Sequence, residues 1–178
     1  MKMEEQQVSG MGKAMLVLAF IIVLGMMTWF FGGILEKQRN PNQQVLTSIN
    51  TEGIPEVVLQ QNRHGHYLAT GSINDHPVDF LLDTGATDVA IPAKLAERLN
   101  LKKGPEIEIS TANGVIVARM TRLDRVDLGN ISVTNVRAII NPYMDKDDEV
   151  LLGMSFLKKL EMIQRGETLT LRQYYKNE

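Results

Sequence analysis

A run of bulky apolar residues, Phe80-Leu81-Leu82, ends abruptly in a carboxylate, Asp83, followed by a hydroxyl, Thr84, a glycine, Gly85, and then Ala86 and Thr87. Two readings fit this stretch. In the plain one, Asp83 opens a turn at a strand end, where Asp and Gly are common. In the other, the apolar approach sets the carboxylate on the floor of a cleft, and Gly85 allows close backbone approach and offers an amide to that carboxylate. Such a group gains a use when a second carboxylate comes within contact distance. The two cannot both ionise comfortably, so they share a proton. One can then take a proton from water while the other gives one to a carbonyl oxygen.

Other candidate groups carry less. There is no cysteine, which excludes disulfides, thiolate nucleophiles and cysteine-based zinc sites. The formal net charge of -2 supplies no basic footprint for nucleic acid. His64 and His66 stand two apart but lack further ligands, and they read as turn and strand residues, with His76 starting a strand. Asp145, Asp147, Asp148 and Glu149 lack the spacing and central Gly of a calcium loop and read as a solvated loop. Asp88 either supports the Asp83 loop or faces solvent. Arg119, Arg122 and Arg125, spaced by three, allow contacts with acidic groups, and Lys158-Lys159 reads as the polar face of a helix. No metal and no cofactor is expected.

The elements that position these groups read as short strands. Val57–Leu59, His66–Ile73 and Val78–Leu82 are expected strands, with turns at Asn62–Gly65 and Asn74-Asp75. Pro92 is placed to open a short helix through Leu99. Ile107 and Ile109 alternate with polar residues up to Thr111-Ala112-Asn113-Gly114-Val115, and an Asn-Gly pair between alternating segments is a strong hairpin signal. Alternation resumes at Val126 and Leu128 and again from Ile131 to Ile140. Val150-Leu151-Leu152-Gly153 follows the acidic loop. Ser155 is placed to cap a short helix through Leu160, and Leu169 and Leu171 mark a last strand. Many short strands with one or two short helices predict an all-β sandwich or barrel, not alternating βα units.

Ahead of this domain, Ala14–Phe31 carries no charge, and apolar character continues to Leu35. A bilayer core needs about 20 such residues in a helix. Residues 14–35 therefore read as a transmembrane anchor, preferred over a cleaved signal, because no small-x-small site follows, and over a buried core helix. Residues 1–13 read as a short polar leader, 36–53 as a polar linker and 54–178 as the domain. Lys2 and Lys13 on one side nearly balance Lys37 and Arg39 on the other. The shortness of the leader favours a cytoplasmic N-terminus, with the domain on the extracytoplasmic, periplasmic side.

Asp83-Thr84-Gly85-Ala86-Thr87 resembles the active-site motif of retropepsin-like aspartic proteases, the group that contains retroviral proteases and pepsins. Leu151-Leu152-Gly153 resembles their hydrophobic-hydrophobic-Gly motif, and Ile109 to Ile116 stands between the two where those proteins carry a flap hairpin. The resemblance covers about Pro55 to Leu171 and is nearest to single-pass, bacterial-type members. It implies a closed acid-protease barrel and a catalytic Asp83. Thr84 would pair with its counterpart from a second subunit, and Gly85 would donate amides near the carboxylates. Ala86 and Thr87 would complete the loop, with Leu151, Leu152 and Gly153 packed behind it. Thr111, Ala112, Asn113, Gly114 and Val115 would form a flap over bound peptide. Pepsins carry two such motifs and this chain carries one, since Asp127-Leu128-Gly129 lacks the hydroxyl. The resemblance thus implies a homodimer cleaving protein or peptide substrates. The alternative is a catalytically inactive, membrane-tethered binding or scaffold module on the same fold. Met154 stands where viral enzymes often carry an Arg.

Overall fold

The computed structural model describes residues 2–51, 53–111, 114–144 and 148–173, with 2–11 as backbone only. It divides into two units, Met1–Gln38 and Arg39–Glu178.

The first unit lies in one helix, α1 (Lys2–Arg39), which continues past both expected ends of the apolar segment and whose last residue, Arg39, belongs to the second unit. Its stretch Gly12–Arg39 is long and apolar enough to cross a membrane, a property that spans and signal sequences share. Thr28 satisfies its hydroxyl within the helix by donating to the Leu24 carbonyl at 2.8 Å.

The second unit is mostly β. In chain order it comprises β1 (Leu46–Ile49), β2 (Pro55–Gln60), β3 (Leu68–Ile73), β4 (His76–Leu82), β5 (Val89–Pro92), α2 (Ala93–Arg98), β6 (Glu106–Thr111), β7 (Gly114–Leu128), β8 (Ile131–Asn141), β9 (Glu149–Leu152), α3 (Met154–Leu157), β10 (Leu160–Arg165) and β11 (Thr168–Gln173). One sheet has the order β3-β4-β9-β5-β8-β7-β6, and β3 also pairs with β7. The pairings therefore run from β3 through four strands to β7 and return to β3. Gly71 makes that return possible. A Cβ there would stand 2.3 Å from the Asp127 carbonyl oxygen and 2.7 Å from the Phe80 ring. The other sheet has the order β1-β2-β11-β10.

Strand alternation sets the core. Val57, Leu59, Leu123, Val126, Leu128, Val136, Leu152 and Leu171 are fully buried, and Phe80 and Phe156 add aromatic bulk. The turn at Asn74-Asp75 takes positive φ at both residues, the conformation a tight two-residue hairpin needs. Thr111 pairs with Gly114 across the expected Asn-Gly hairpin; Ala112 and Asn113 lie outside the described residues, as do Asp145 and Asp147.

Several local expectations differ; Glu149, read as part of a solvated loop, is buried and opens β9. The stretch 36–53, read from its polar composition as a linker, is partly built into the domain. Asn40 and Asn42 are buried, and β1 pairs with β2. The Asn42 side chain accepts from the Gln60 amide and donates to the Gln60 and Leu68 carbonyls, so a residue that reads as solvated takes the place of a strand's hydrogen bonds. The helix expected through Leu160 stops at Leu157, and Leu160 instead opens β10. Ser155 does not cap that helix: Gly153 stands at the cap position and makes no side-chain bond.

Candidate active site

Asp83 follows directly on β4, and β9 runs parallel beside that strand with Leu81 against Leu151 and Leu82 against Leu152. The Asp83 amide extends this ladder by donating to the Leu152 carbonyl. The chain then turns. Gly85 N–H donates to Asp83 Oδ1 at 2.8 Å, and Ala86 N–H donates to the Asp83 carbonyl at 3.3 Å. A Cβ on Gly85 would stand 3.1 Å from the same Asp83 oxygen, a tight contact that would push the carboxylate aside by a few tenths of an ångström.

The second motif closes the loop from behind. Met154 N–H donates to the Ala86 carbonyl at 2.8 Å and Ser155 N–H to the Thr87 carbonyl at 2.9 Å. Gly153 passes against the loop backbone, where a Cβ would meet the Asp88 carbonyl oxygen at 2.3 Å and the Ala86 carbonyl oxygen at 2.7 Å. The Ser155 hydroxyl donates to the Arg137 carbonyl at 2.7 Å and accepts from the Val89 amide at 3.1 Å. It thereby joins α3 to the starts of β5 and the middle of β8.

Asp83 is half-buried and Thr84 and Gly85 are exposed. Asp83 lines a cleft of about 600 Å³ that extends beneath the β6–β7 hairpin. Its apolar wall is Ala90, Ile107, Ile109, Ile116, Ile139 and Leu151. Of the hairpin residues singled out in the sequence, Thr111 lines the cleft, whereas Val115 is exposed. Strand alternation turns Ile116, not Val115, towards the cleft. Leu152 lies in the core behind the loop, fully buried.

Asp88 also lines the cleft and resolves the alternative left open above. Its Oδ1 accepts from Arg137 Nε at 2.6 Å, and its side chain is 14% exposed. This arginine arrives from β8. No spacing rule relates these two residues. Arg137 occupies an outward position of an alternating strand and reads as a solvated charge. Other arginines are held elsewhere: Arg119 pairs with Glu106, Arg125 with Asp75 and Asp127, and Arg98 with Asp148, while Arg122 donates to the Asn135 side chain at 2.8 Å. Burial on its own would raise the Asp127 carboxyl, but hydrogen bonds from Ser132, Arg125 and Ser72, with the Arg125 charge, outweigh it and hold the group below its usual range.

Against known proteins, residues 69–159 match the profile of the family described as gag-polyprotein putative aspartyl protease. The chain is 36% identical over 127 residues to an uncharacterized protein in the cobV 5′ region of Sinorhizobium sp, covering 69% of this chain and 54% of that protein. It is 26% identical over 124 residues to an uncharacterized protein of Rickettsia prowazekii (strain Madrid E), covering 68% of this chain and 52% of that one. It therefore spans about half the length of these curated relatives. Among solved structures it is similar to a retropepsin-like aspartic protease from Rickettsia conorii. That match has a TM-score of 0.57 and 26% identity, and covers 73% of this chain and 96% of that one.

Proposed function

This chain belongs to the gag-polyprotein putative aspartyl protease family, whose fold is retropepsin-like, and from that premise we propose that it is an aspartic endopeptidase assembled from two copies of itself, each contributing Asp83. The observation that carries the reading is the placement of Asp83: its carboxylate accepts the Gly85 amide and lines an apolar cleft wide enough for peptide side chains.

One such carboxylate cannot act alone in this chemistry. The exposed loop of Thr84 and Gly85 is available to meet its copy about a two-fold axis, bringing two Asp83 carboxyls to one water. The ionised member takes a proton from that water as its oxygen bonds to the peptide carbonyl carbon. The protonated member gives its proton to the carbonyl oxygen, forming a neutral gem-diol. The first member then returns its proton to the amide nitrogen while the second takes a proton from a gem-diol hydroxyl, so that the C–N bond breaks, a carboxylic acid and an amine leave, and the shared-proton pair is restored. The hairpin over the cleft excludes bulk water during these transfers. The apolar helix α1 holds the assembly at a bilayer, with the β domain on the extracytoplasmic side. Tethering to a surface raises the effective concentration of weakly associating copies.

Asp83→Asn tests this directly. The variant keeps the fold, as read by circular dichroism and thermal unfolding, and loses peptide cleavage by at least about a thousand-fold, the scale on which removing a member of a catalytic unit acts. Cleavage by the variant at the parental rate would sink the reading.

A second reading draws on the β1-β2-β11-β10 sheet. In it β11, the last described strand, is already paired on both edges, with β2 and β10, whereas viral dimers are held partly by terminal strands. That favours a tethered binding module with another mode of association. Solution mass of the full chain in detergent, measured alongside cleavage of a mixed peptide library, separates the two: a dimer without cleavage supports the binding module.

A further inference from the structure

Thr70 on β3 partners Asp79 on β4, and Asp79 partners Glu149 on β9, so one row of side chains crosses three adjacent strands. Two of the three are carboxylates in direct register, and Glu149 is only 7% exposed. Like charges on neighbouring strands repel, and a buried carboxylate without a partner is costly. The compensation comes from the residues at the end of α1. Arg39 Nη2 donates to Glu149 Oε2 at 3.3 Å. Asn40 Nδ2 donates to Asp79 Oδ1 at 3.1 Å and to Thr70 Oγ1 at 3.0 Å. Thr70 Oγ1 completes the triangle by donating to Asp79 Oδ1 at 2.7 Å.

Asn40 is 1% exposed, so its amide has no exchange with bulk water to fall back on. Its own oxygen accepts the Asn42 amide at 3.0 Å, which locks the segment's path onto β3. The polar row lies on the two strands that make the candidate active site. From Asp79, β4 runs to Leu82 and then Asp83; from Glu149, β9 runs to Leu152 and then Gly153, in parallel register throughout. A displacement at the row is carried along this ladder to the bond between the Asp83 amide and the Leu152 carbonyl.

We propose that Arg39 and Asn40 are positioning residues for the Asp83 loop: Arg39 neutralises Glu149 and Asn40 hydrogen-bonds Asp79, so that β4 and β9 present Asp83 and Gly153 in register. This role rests on the protease reading only for its effect on turnover. Its structural content is independent of catalysis.

The experiment uses the full chain in detergent, with Arg39→Ala, Asn40→Ala, Arg39→Lys and the double variant Arg39→Ala/Glu149→Gln. Amide hydrogen exchange is followed at Asp83 and Gly85, with Val126 and Val133 on the β7–β8 hairpin as a remote reference. The two alanine variants should exchange at least about ten-fold faster at Asp83 and Gly85 while the reference amides stay unchanged. Where the parent cleaves peptide, their kcat should fall at least about ten-fold with KM within about two-fold, since displacement of a reacting group acts on turnover. Lysine keeps the charge, and glutamine removes the carboxylate that Arg39 faces, so both should recover most of the loss. Uniformly faster exchange at all four amides, or no recovery in the double variant, overturns the positioning role. A parent that cleaves nothing overturns the protease reading, and the exchange data still decide this one.

Discussion

The Asp83 amide donates to the Leu152 carbonyl at 3.2 Å, which makes the candidate catalytic residue an extension of the β4–β9 ladder rather than a member of a free loop. The two signature motifs, far apart in the chain, are one structural unit. Loop geometry therefore depends on residues behind it as much as on its own.

Gly153→Ala tests that dependence. The added methyl would have to fit 2.3 Å from the Asp88 carbonyl oxygen and 2.7 Å from the Ala86 carbonyl oxygen, both backbone atoms. Neither can yield without moving the loop. Forced overpacking of this kind costs about 1–3 kcal/mol, so the variant should unfold at clearly lower temperature. Its remaining folded fraction should cleave peptide more slowly than the parent. An unchanged melting temperature would show that the loop has slack at this point.

The parts of this arrangement legible in the sequence are those with local patterns. Asp83-Thr84-Gly85 announces itself because an apolar strand ends in a carboxylate. Asn74-Asp75 and the Asn113-Gly114 pair mark hairpins through residue types that tolerate positive φ. What stays hidden lacks either periodicity or proximity. All residues of β1 are exposed, so Leu46–Ile49 shows no inside-outside alternation. Asn40 and Asn42 read as solvated until their amides are seen holding β2 and β3. Ser155 reads as a helix cap because its type suits that role, yet its hydroxyl serves a β8 carbonyl and a β5 amide. Arg137 meets Asp88 across 49 positions of sequence, beyond any spacing rule.

Ser155→Ala isolates one of these hidden contacts. It removes the acceptor for the buried Val89 amide and the donor to the Arg137 carbonyl. A buried polar group left without a partner costs about 1–3 kcal/mol. Urea unfolding should place the variant within that range below the parent with an unchanged slope. A change under about 0.5 kcal/mol would mean that water replaces the hydroxyl fully.

Arg137→Ala acts on the cleft more than on the fold. Arg137 is 47% exposed, and an ion pair with one partner this open to solvent contributes about 1 kcal/mol to stability. Its loss leaves the Asp88 carboxylate unneutralised at the cleft wall. The variant should shift selectivity towards peptides carrying Lys or Arg near the scissile bond, by about five-fold relative to neutral peptides, and more at low salt. Equal selectivity in parent and variant would show that Asp88 does not face bound peptide.

Asp127 gives the protein an acid-sensitive joint where β3 meets β7. Ser72 and Asp127 are register partners there. The Asp127 carboxylate accepts from Ser72 Oγ at 3.1 Å and Arg125 Nε at 2.8 Å. Together with Ser132 and the Arg125 charge, these bonds outweigh burial and lower its pKa from the ordinary 3.8. A group with a lowered folded pKa binds protons more readily in the unfolded chain, so its stabilisation is complete above the unfolded value and fades as pH drops through the folded one. The difference in unfolding free energy between parent and Asp127→Asn should hold steady from neutral pH to about pH 5, then shrink as the pH is taken below 3.8. Urea titrations at stepped pH read this directly. A difference that stays constant down to about pH 2.5, or widens, would mean that the lowered carboxylate is not what ties β3 to β7.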